Sequence, residues 1–388
     1  MKLSERAGRI EPSPTLAITS LAKKMKSEGR DVLSFGSGEP DFDTPFVIKE
    51  KIKKALDAGF TKYTPATGTQ KLKELICEKL KKENGLDYKP ESVVISSGAK
   101  HSLYNIMMAV LNPGDEVLIP EPYWVSYPEM VRLADGLPVF VPCFEENDFK
   151  LKPEDVKKKI TDRTKALIIN SPSNPTGAVY EESDLKKIAE ICVAKDILVI
   201  SDEIYEKIIY PPAEHVSIAS FGSEIFKRTI VVNGFSKSYS MTGLRMGYLA
   251  GPSDIVRAIG NIQSHSTSNP VSIVMRGLEE AFWIDDEIEK MRRTFEKRRD
   301  VIVEKLNGIQ GISCRKPEGA FYVFPNIRSL GMGSFEFAEK ILKEKEVAVV
   351  PGKPFGADEN IRLSYATDDE TIRRGLERIE EFVKKIQS

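Results

Sequence analysis

The stretches ILVISDEIY, residues 197–205, and TIVVNGFSK, residues 229–237, decide the predicted fold. Each starts with a run of Val and Ile, as a strand buried on both faces does, and each ends in polar residues. Five further apolar runs accompany them, at Val93–Ser96, Glu116–Pro120, Val139–Pro142, Ala166–Ser171 and Gly247–Gly251. Segments with helical periodicity, such as 103–111 and 182–195, separate several of the runs. Because this alternation is typical of parallel sheets covered by helices, the sequence predicts an α/β fold with a mostly parallel seven-stranded sheet.

A change of pattern after the last of these runs predicts a second, smaller domain. The chain has 388 residues, more than one hydrophobic core usually organises. From about Ser253 it continues with charged amphipathic helices such as Ile284–Leu306, and a closing helix starts at Asp369. Short strands are predicted between them, at Ala320–Phe324, Val347–Val350 and Ile361–Tyr365. We therefore expect three parts: an N-terminal arm with part of the small domain (1–40), a large domain (41–283) and a small α+β domain (284–388).

Composition narrows the possible partners and the compartment. Lys plus Arg (57) nearly balance Asp plus Glu (58), so nothing favours nucleic acid or an anionic membrane as partner. The start, MKLSERAGRIEPSP, has no apolar core of signal-peptide length, and no later run has the length of a membrane span, so we expect a cytoplasmic protein. The four cysteines and three histidines lack the spacing of a disulfide framework or a metal site, and no metal is expected.

Polar residues follow five of the predicted strands. In an open parallel sheet, ligands bind beyond the carboxyl ends of the strands, where these residues would meet. The residues at those ends include Lys100, Trp124, Asn174, Asp202 with Tyr205, and Ser236 with Lys237. Each alone has an ordinary explanation, such as a solvated lysine, a helix cap or a core tryptophan. Their joint arrangement predicts a ligand site.

The set fits an enzyme that uses pyridoxal 5'-phosphate (PLP). Such an enzyme needs a lysine in a dry site that can join to the cofactor aldehyde and later move a proton, and Lys237 fits this role. It also needs a carboxylate facing the ring nitrogen, for which Asp202 is the candidate. Tyr205 and Asn174 could hydrogen bond to the ring oxygen, and Trp124 could pack against the ring.

The cofactor phosphate requires a separate set of groups. Backbone N–H groups at a helix start, together with a fixed cation, bind phosphate well. Gly98 and Ala99, ahead of a helix predicted from His101, could supply the N–H groups, and Ser236 with Arg245 could complete the site. Lys100 lies beside this turn and is counted among the candidate cofactor contacts.

Six motifs carry a resemblance to a known family. They are SGEPDF (37–42), KYTP (62–65), NSPSNPTG (170–177), SDEIY (201–205), SKS (236–238) with GLRMG (243–247), and NIRLSY (360–365). In this order and at this spacing, the chain resembles the class I aminotransferases of fold type I and looks closest to the bacterial aspartate aminotransferases. The resemblance spans residues 13–366, nearly the whole chain.

The resemblance implies further roles. It suggests that Arg362 clamps the substrate α-carboxylate near the backbone of Gly38, with Trp124 and Asn174 also beside the substrate. It suggests that Tyr63 reaches the cofactor phosphate of a neighbouring subunit, which makes a homodimer with shared active sites the expected unit. Lys100, Ser13 and Thr15 match positions that meet the distal carboxylate of a dicarboxylic substrate. The stretch Gln263–Ser266 lacks the arginine that many aspartate aminotransferases contribute there, so dicarboxylate preference rests on Lys100.

The expected function is transfer of an amino group between an amino acid, best guess aspartate, and a 2-oxo acid, best guess 2-oxoglutarate. Aromatic amino acids or prephenate remain alternative substrates. A PLP-dependent β-lyase on the same fold remains an alternative reaction, because fold does not fix function. A transcriptional regulator with an aminotransferase-like domain would carry a helix-turn-helix segment ahead of it, whereas here the family pattern starts within the first dozen or so residues.

Overall fold

The chain alternates between helices and strands along most of its length. The computed structural model describes residues 3–10 and 14–387, apart from the side chains of residues 14–17 and 19. The strands are β1 (Leu33–Ser34), β2 (Val93–Ser96), β3 (Glu116–Glu121), β4 (Leu137–Pro142), β5 (Thr164–Asn170), β6 (Leu198–Asp202), β7 (Thr229–Gly234), β8 (Gly247–Ala250), β9 (Tyr322–Val323), β10 (Val347–Ala348), β11 (Val350–Pro351) and β12 (Ile361–Ser364). The helices are α1 (Glu5–Gly8), α2 (Pro14–Ser27), α3 (Phe46–Asp57), α4 (Gln70–Asn84), α5 (Ala99–Val110), α6 (Ser126–Leu133), α7 (Pro153–Lys159), α8 (Glu182–Ala194), α9 (Ser223–Phe226), α10 (Ser253–Ser266), α11 (Ser272–Glu280), α12 (Asp285–Asn307), α13 (Ser334–Lys345) and α14 (Asp369–Gln387).

Seven strands form the central sheet, in the order β2-β8-β7-β6-β5-β3-β4. Strands β3 to β7 pair in parallel, whereas β8 runs antiparallel to both of its neighbours, β2 and β7. All seven apolar runs of the sequence are strands of this sheet, so the prediction of a mostly parallel seven-stranded α/β fold is confirmed. The carboxyl ends of β5, β6 and β7 lie side by side, with Asn170 opposite Asp202 and Asp202 opposite Val232.

Helices cover the central sheet on both faces, which explains why its strands read as unbroken Val and Ile runs. On one face, Ile200 and Val232 pack with Leu103 of α5. On the other face, Val199 packs with Leu185 of α8. These side chains are almost fully buried, and each contributes about 1.5–3 kcal/mol relative to an exposed position. The central sheet is therefore a rigid floor for the residues at its strand ends.

A smaller unit is built around two further sheets. One is antiparallel, in the order β11-β12-β9, and the other pairs β1 with β10 in parallel. Phe35 and Phe295 pack with buried residues of β12 and α14 in one cluster. The pairing of Leu33 with Val347 supports the prediction that the N-terminal segment contributes to the small domain, although the boundaries at 40 and 283 stay predictions.

Three elements illustrate how the boundaries differ from the sequence-based expectation. The predicted strand Val347–Val350 is two strands, because the chain passes from the sheet of β1 to that of β12 at Val349. The predicted strand Ala320–Phe324 is reduced to Tyr322–Val323, since Ala320 has a φ of 57°, outside the strand region. Helix α5 starts at Ala99, two residues before His101.

Neither disulfide bonds nor membrane-spanning helices are found in the described part of the chain. All four cysteines are free thiols, and Cys143, Cys192 and Cys314 are buried. Within the described ranges, every helix is too short or too polar to cross a lipid bilayer.

Candidate active site

A cavity of about 590 Å³ opens at the carboxyl ends of the central strands, where ligands bind in open α/β sheets. Most of the predicted site residues line it: Gly38, Ala99, Lys100, Trp124, Asn174, Asp202, Tyr205, Ser236, Lys237, Arg245 and Arg362. Gly98 is not a lining residue itself, but it lies next to Ala99 and in close contact with Arg245, which both line the cavity. Residues far apart in sequence therefore meet in one cavity.

Lys237 stands three residues beyond the end of β7, and its Nζ donates a hydrogen bond to the carbonyl oxygen of Gly38 at 2.5 Å. Burial lowers the pKa of the Lys237 amine to about 8, while nearby Glu39 acts in the opposite direction. Arg362 and Arg245 lower this pKa further, because a second positive charge is unfavourable beside them. About a tenth of the amine is therefore unprotonated at pH 7, far more than for a solvated lysine, and the unprotonated form is the one that acts as nucleophile and base.

Asp202 ends β6 on the floor of the cavity, and its side chain is buried. The phenol of Tyr127 donates to Asp202 Oδ2 at 2.6 Å, and the backbone N–H of Ile204 donates to Oδ1 at 3.3 Å. Burial raises the pKa of this carboxyl to about 6, although both hydrogen bonds favour its charged form. A desolvated carboxylate in this position is suited to a cationic N–H group of a ligand.

Tyr205 and Asn174 lie on neighbouring walls of the same cavity. The hydroxyls of Tyr205 and Tyr322 are 2.9 Å apart and hydrogen bonded to each other. The backbone N–H of Asn174 donates to Asn170 Oδ1 at 2.9 Å, and Asn170 Nδ2 donates to the carbonyl oxygen of Asp202 at 3.0 Å. The loop that carries Asn174 is thus tied to the strand that carries Asp202.

Trp124 forms an aromatic wall. Its ring packs edge to face against Tyr127, with the ring centroids 5.2 Å apart. The Nζ of Lys100 lies 4.8 Å from the centroid of the indole ring, a cation–π distance. Burial, and secondarily the charge of Arg245, lower the pKa of Lys100.

The groups expected to bind phosphate converge where α5 begins. Gly98 has a φ of 86°, and a Cβ at this position would lie 2.5 Å from Arg245 Nη2. Arg245 donates from Nη1 to the carbonyl oxygen of Thr242 at 2.9 Å and from Nη2 to that of Ser97 at 3.3 Å. The first N–H groups of α5 and one guanidinium therefore face the same corner of the cavity. This arrangement of donors fits the phosphate of PLP.

Arg362 reaches the cavity from β12 of the smaller unit and is buried. Its Nη1 donates to Asn174 Oδ1 at 3.0 Å and its Nη2 to the carbonyl oxygen of Gly36 at 3.2 Å. In the described part of the chain, its Nε has no hydrogen-bond partner and no carboxylate forms an ion pair with it. Burial lowers the pKa of this guanidinium. A buried cation without an anion is suited to a carboxylate ligand.

Of the remaining predicted residues, Tyr63 does not line this cavity. Tyr63 is 92% exposed. A tyrosine that served only to fill a turn would be buried, so this ordinary explanation does not apply to Tyr63. Ser13 lies outside the described residues, and so does the side chain of Thr15, whose backbone belongs to α2.

Other cavity residues were not predicted from the sequence: Lys23, Glu39, Tyr127, Thr242 and Tyr322. Tyr127 could have been predicted from the sequence. It follows Trp124 by three residues at the start of a helix, and this spacing places the two rings side by side. Tyr322 belongs to a two-residue strand and offered no comparable signal.

Comparisons with known proteins agree with this geometry. The family model for aminotransferase class I and II matches residues 30–379. The aspartate aminotransferase of Bacillus subtilis (strain 168) is 49% identical over 99% of this chain and 100% of its own. The probable aspartate/prephenate aminotransferase of Aquifex aeolicus (strain VF5) is 50% identical over 99% of both chains. The structure of aspartate aminotransferase from Thermus thermophilus with maleate superposes with a TM-score of 0.95, at 41% identity over 98% of this chain and 99% of that one.

The match covers both the central sheet and the smaller unit, and the cavity has the groups that the cofactor of this family requires. The chain therefore belongs to the class I and II aminotransferases and is a PLP-dependent transaminase.

Proposed function

We propose that this enzyme transfers the amino group of aspartate to 2-oxoglutarate, with Lys237 as the base that moves the proton. The observation that carries the proposal is that a lysine amine with a pKa of about 8 shares one cavity with the buried guanidinium of Arg362, which has no ion-pair partner among the described residues. The first group can take a proton from an α-carbon, and the second can hold the α-carboxylate beside it.

The side chains around Lys237 would hold the cofactor. Bound PLP supplies an electron sink next to the α-carbon of the substrate. Asp202 would hold a proton on the ring nitrogen, because a buried carboxylate stabilises a cation that it faces. Tyr205 and Asn174 would donate hydrogen bonds to the ring oxygen, and Trp124 would pack against the ring. Ser236, Arg245 and the N–H groups of residues 98–100 would bind the phosphate.

Substrate binding would place the α-proton within reach of Lys237. Arg362 would clamp the α-carboxylate, with the backbone of Gly38 nearby, since Gly38 already accepts a hydrogen bond from Lys237. The free amine of Lys237 would then take the α-proton as a general base. Because the two substrates would use the same site in turn, ping-pong kinetics are expected.

Aspartate is proposed as donor because relatives with about half of their residues identical are named aspartate aminotransferases. Lys100 lines the cavity and would meet the distal carboxylate, with Ser13 and Thr15 as further candidates. In a donor panel with 2-oxoglutarate, we expect Lys100→Ala to lose kcat/KM for aspartate but to retain it for alanine. An equal loss for both donors would remove Lys100 from the distal site.

Prephenate is a second candidate acceptor, because the Aquifex relative is named a probable aspartate/prephenate aminotransferase. Product formation from prephenate with aspartate as donor tests this. Measuring 2-oxo acid release with and without an acceptor separates transfer from β-elimination, since only elimination continues without the acceptor.

A homodimer with shared sites is the proposed working unit. The large exposed area of Tyr63 supports it, since exposed aromatic side chains are enriched at interfaces. Sedimentation equilibrium tests the assembly. If Tyr63 contacts the neighbouring phosphate, Tyr63→Phe should weaken PLP binding without changing the mass of the assembly.

A further inference from the structure

We propose that Tyr127 is a positioning residue for the cofactor: its phenol keeps Asp202 ionised and directs that carboxylate at the ring nitrogen. This inference rests on the proposed role of Asp202. It concerns a residue that touches neither the substrate nor the reacting atoms in the proposed mechanism.

The contact between the two side chains is short and buried. Tyr127 is 2% exposed, and its hydroxyl lies 2.6 Å from Asp202 Oδ2. This distance is in the range of hydrogen bonds between a hydroxyl and an ionised carboxylate, which contribute more than neutral ones do. The other donor to Asp202 within the described chain is the N–H of Ile204, at the longer distance of 3.3 Å. The hydrogen bond from Tyr127 is therefore the stronger of the two.

The direction of the hydrogen bond is fixed by the surroundings. Burial, and after it the charge of Asp202, raise the pKa of the Tyr127 phenol well above its usual value. The phenol consequently keeps its proton throughout the working pH range and always donates to Asp202. Without this donor, a buried Oδ2 would lose its partner, and the neutral form of Asp202 would be favoured.

Tyr127 also fixes the distance between the floor and the wall of the cavity. It lies in the first turn of α6, and its backbone N–H donates to the carbonyl oxygen of Trp124 at 3.0 Å. Its ring packs against the indole of Trp124. One side chain thus links the carboxylate at the end of β6 to the aromatic ring that would pack on the cofactor.

The test compares Tyr127→Phe with Tyr180→Phe. Tyr180 is a matched control: it is 4% exposed and its hydroxyl also has a hydrogen-bond partner, the N–H of Leu151 at 3.2 Å, away from Asp202. The dissociation constant of PLP is measured with cofactor-free protein. We expect Tyr127→Phe to weaken binding roughly tenfold or more, and Tyr180→Phe to leave it unchanged. Equal affinities of the two variants would overturn the proposal.

A cycle of variants shows whether the effect passes through Asp202. If it does, Tyr127→Phe should weaken PLP binding in the wild-type background but not in an Asp202→Asn background. A PLP analogue with carbon in place of the ring nitrogen should bind wild type and Tyr127→Phe equally. If Tyr127→Phe weakened binding as strongly in the Asp202→Asn background, or with the analogue, as it does in wild type with PLP, Tyr127 would act only through local packing.

The pH dependence provides a further readout. Lys237 and Glu203 also face Asp202, and protonation of Lys237 below a pH of about 8 weakens PLP capture in wild type and variant alike. Burial raises the pKa of Asp202 to about 6, so PLP affinity of the wild type should show a second fall as the pH drops through that value. In Tyr127→Phe the midpoint should move to higher pH, and an unmoved midpoint would contradict the proposal. Failure of the proposed function would look different, because the wild type would then bind PLP but not transfer the amino group of aspartate to 2-oxoglutarate.

Discussion

The guanidinium of Arg362 donates from Nη1 to Oδ1 of Asn174 at 3.0 Å, which joins two parts of the cavity through one hydrogen bond. Arg362 comes from β12 of the smaller unit, whereas Asn174 follows β5 of the central sheet. Since Oδ1 of Asn174 accepts this bond, its Nδ2 is the atom left to donate to a ligand. The group proposed to hold the substrate carboxylate therefore also orients a group proposed to hold the cofactor.

Arg362→Lys should lower kcat/KM for all amino-acid donors by roughly tenfold to a hundredfold. A lysine supplies a point charge but not the planar pair of donors that matches a carboxylate, and it loses the hydrogen bond to Asn174. Steady-state kinetics with aspartate and alanine measure the effect. Arg373→Lys is the control, because Arg373 pairs with Glu370 and Glu377 on the exposed face of α14. A defect confined to dicarboxylic donors would instead place Arg362 at the distal carboxylate.

The reactivity of Lys237 in cofactor-free protein should rise through a pH of about 8. The amine must lose its proton before it attacks an aldehyde, and burial lowers its pKa from the usual value of about 10.4. The initial rate of PLP capture, trapped with borohydride and located by peptide mapping, reports this titration between pH 6 and 10. A midpoint near that of a solvated lysine would show that the site does not desolvate Lys237.

Much of the fold and of the cavity could be predicted from the sequence. The Val and Ile runs identify buried strands, and in a parallel sheet their carboxyl ends must lie along one edge. This is why Asp202 and Lys237, which are 35 positions apart in the numbering, could be placed together from the sequence alone. Arg362 could not be placed in this way, because its strand belongs to a different sheet, and only the family resemblance brought it to the site.

The remaining cavity residues and the short strands depend on tertiary packing, which no local sequence pattern encodes. Tyr322 and Glu39 reach the cavity through the docking of the smaller unit on the central sheet. Short strands such as β9 and β11 are set by their neighbours rather than by propensity, so their limits were predicted less well than those of the central sheet. A side chain that reaches a site from another structural unit can be identified from the three-dimensional structure, but not from the periodicity of the sequence.

Gly98→Ala should weaken PLP binding by roughly tenfold or more. The added Cβ would lie 2.5 Å from Arg245 Nη2, so the guanidinium would have to shift from its place in the proposed phosphate corner. Gly114→Ala is the matched control, because Gly114 has a similar φ of 89° but open space around it. Both variants bear the strain of an alanine at a positive φ, and only the first displaces Arg245. Isothermal titration of the cofactor-free proteins with PLP compares them; equal affinities would show that Arg245 does not bind the phosphate.

Lys79 and Glu206 form a buried charge network, and we expect this network to stabilise the fold. The Nζ of Lys79 contacts Glu206 Oε1 and lies 2.8 Å from Asn84 Oδ1. Glu206 also accepts a hydrogen bond from Asn233 Nδ2 at 2.6 Å. Glu203, Glu206 and His215 lie close enough together to share a metal ion, but the ammonium of Lys79 already supplies positive charge there.

Lys79→Met should lower the free energy of unfolding by about 3–5 kcal/mol at neutral pH, since it leaves Glu206 charged and buried without its cation. Adding Glu206→Gln should recover part of this loss, because a neutral amide is less costly to bury. Lys81 lies on the same helix as Lys79 and forms an exposed ion pair with Asp87, which follows the helix. Lys81→Met should therefore have little effect on the free energy of unfolding. Urea unfolding of the four proteins measures the differences.

The pH dependence of these variants follows from Glu206. Burial alone would raise its pKa, but the charges of Lys79 and His215 outweigh burial and lower it to about 2. Because this value lies below the unfolded value of about 4.3, the pair stabilises the fold above the unfolded pKa, and the stabilisation is lost as pH falls toward 2. In Lys79→Met the pKa of Glu206 should rise, so the difference in stability from wild type should shrink on acidification. A difference that stays constant from pH 7 to pH 4 would mean that Lys79 stabilises the protein through the packing of its alkyl chain, and not through the charge it presents to Glu206.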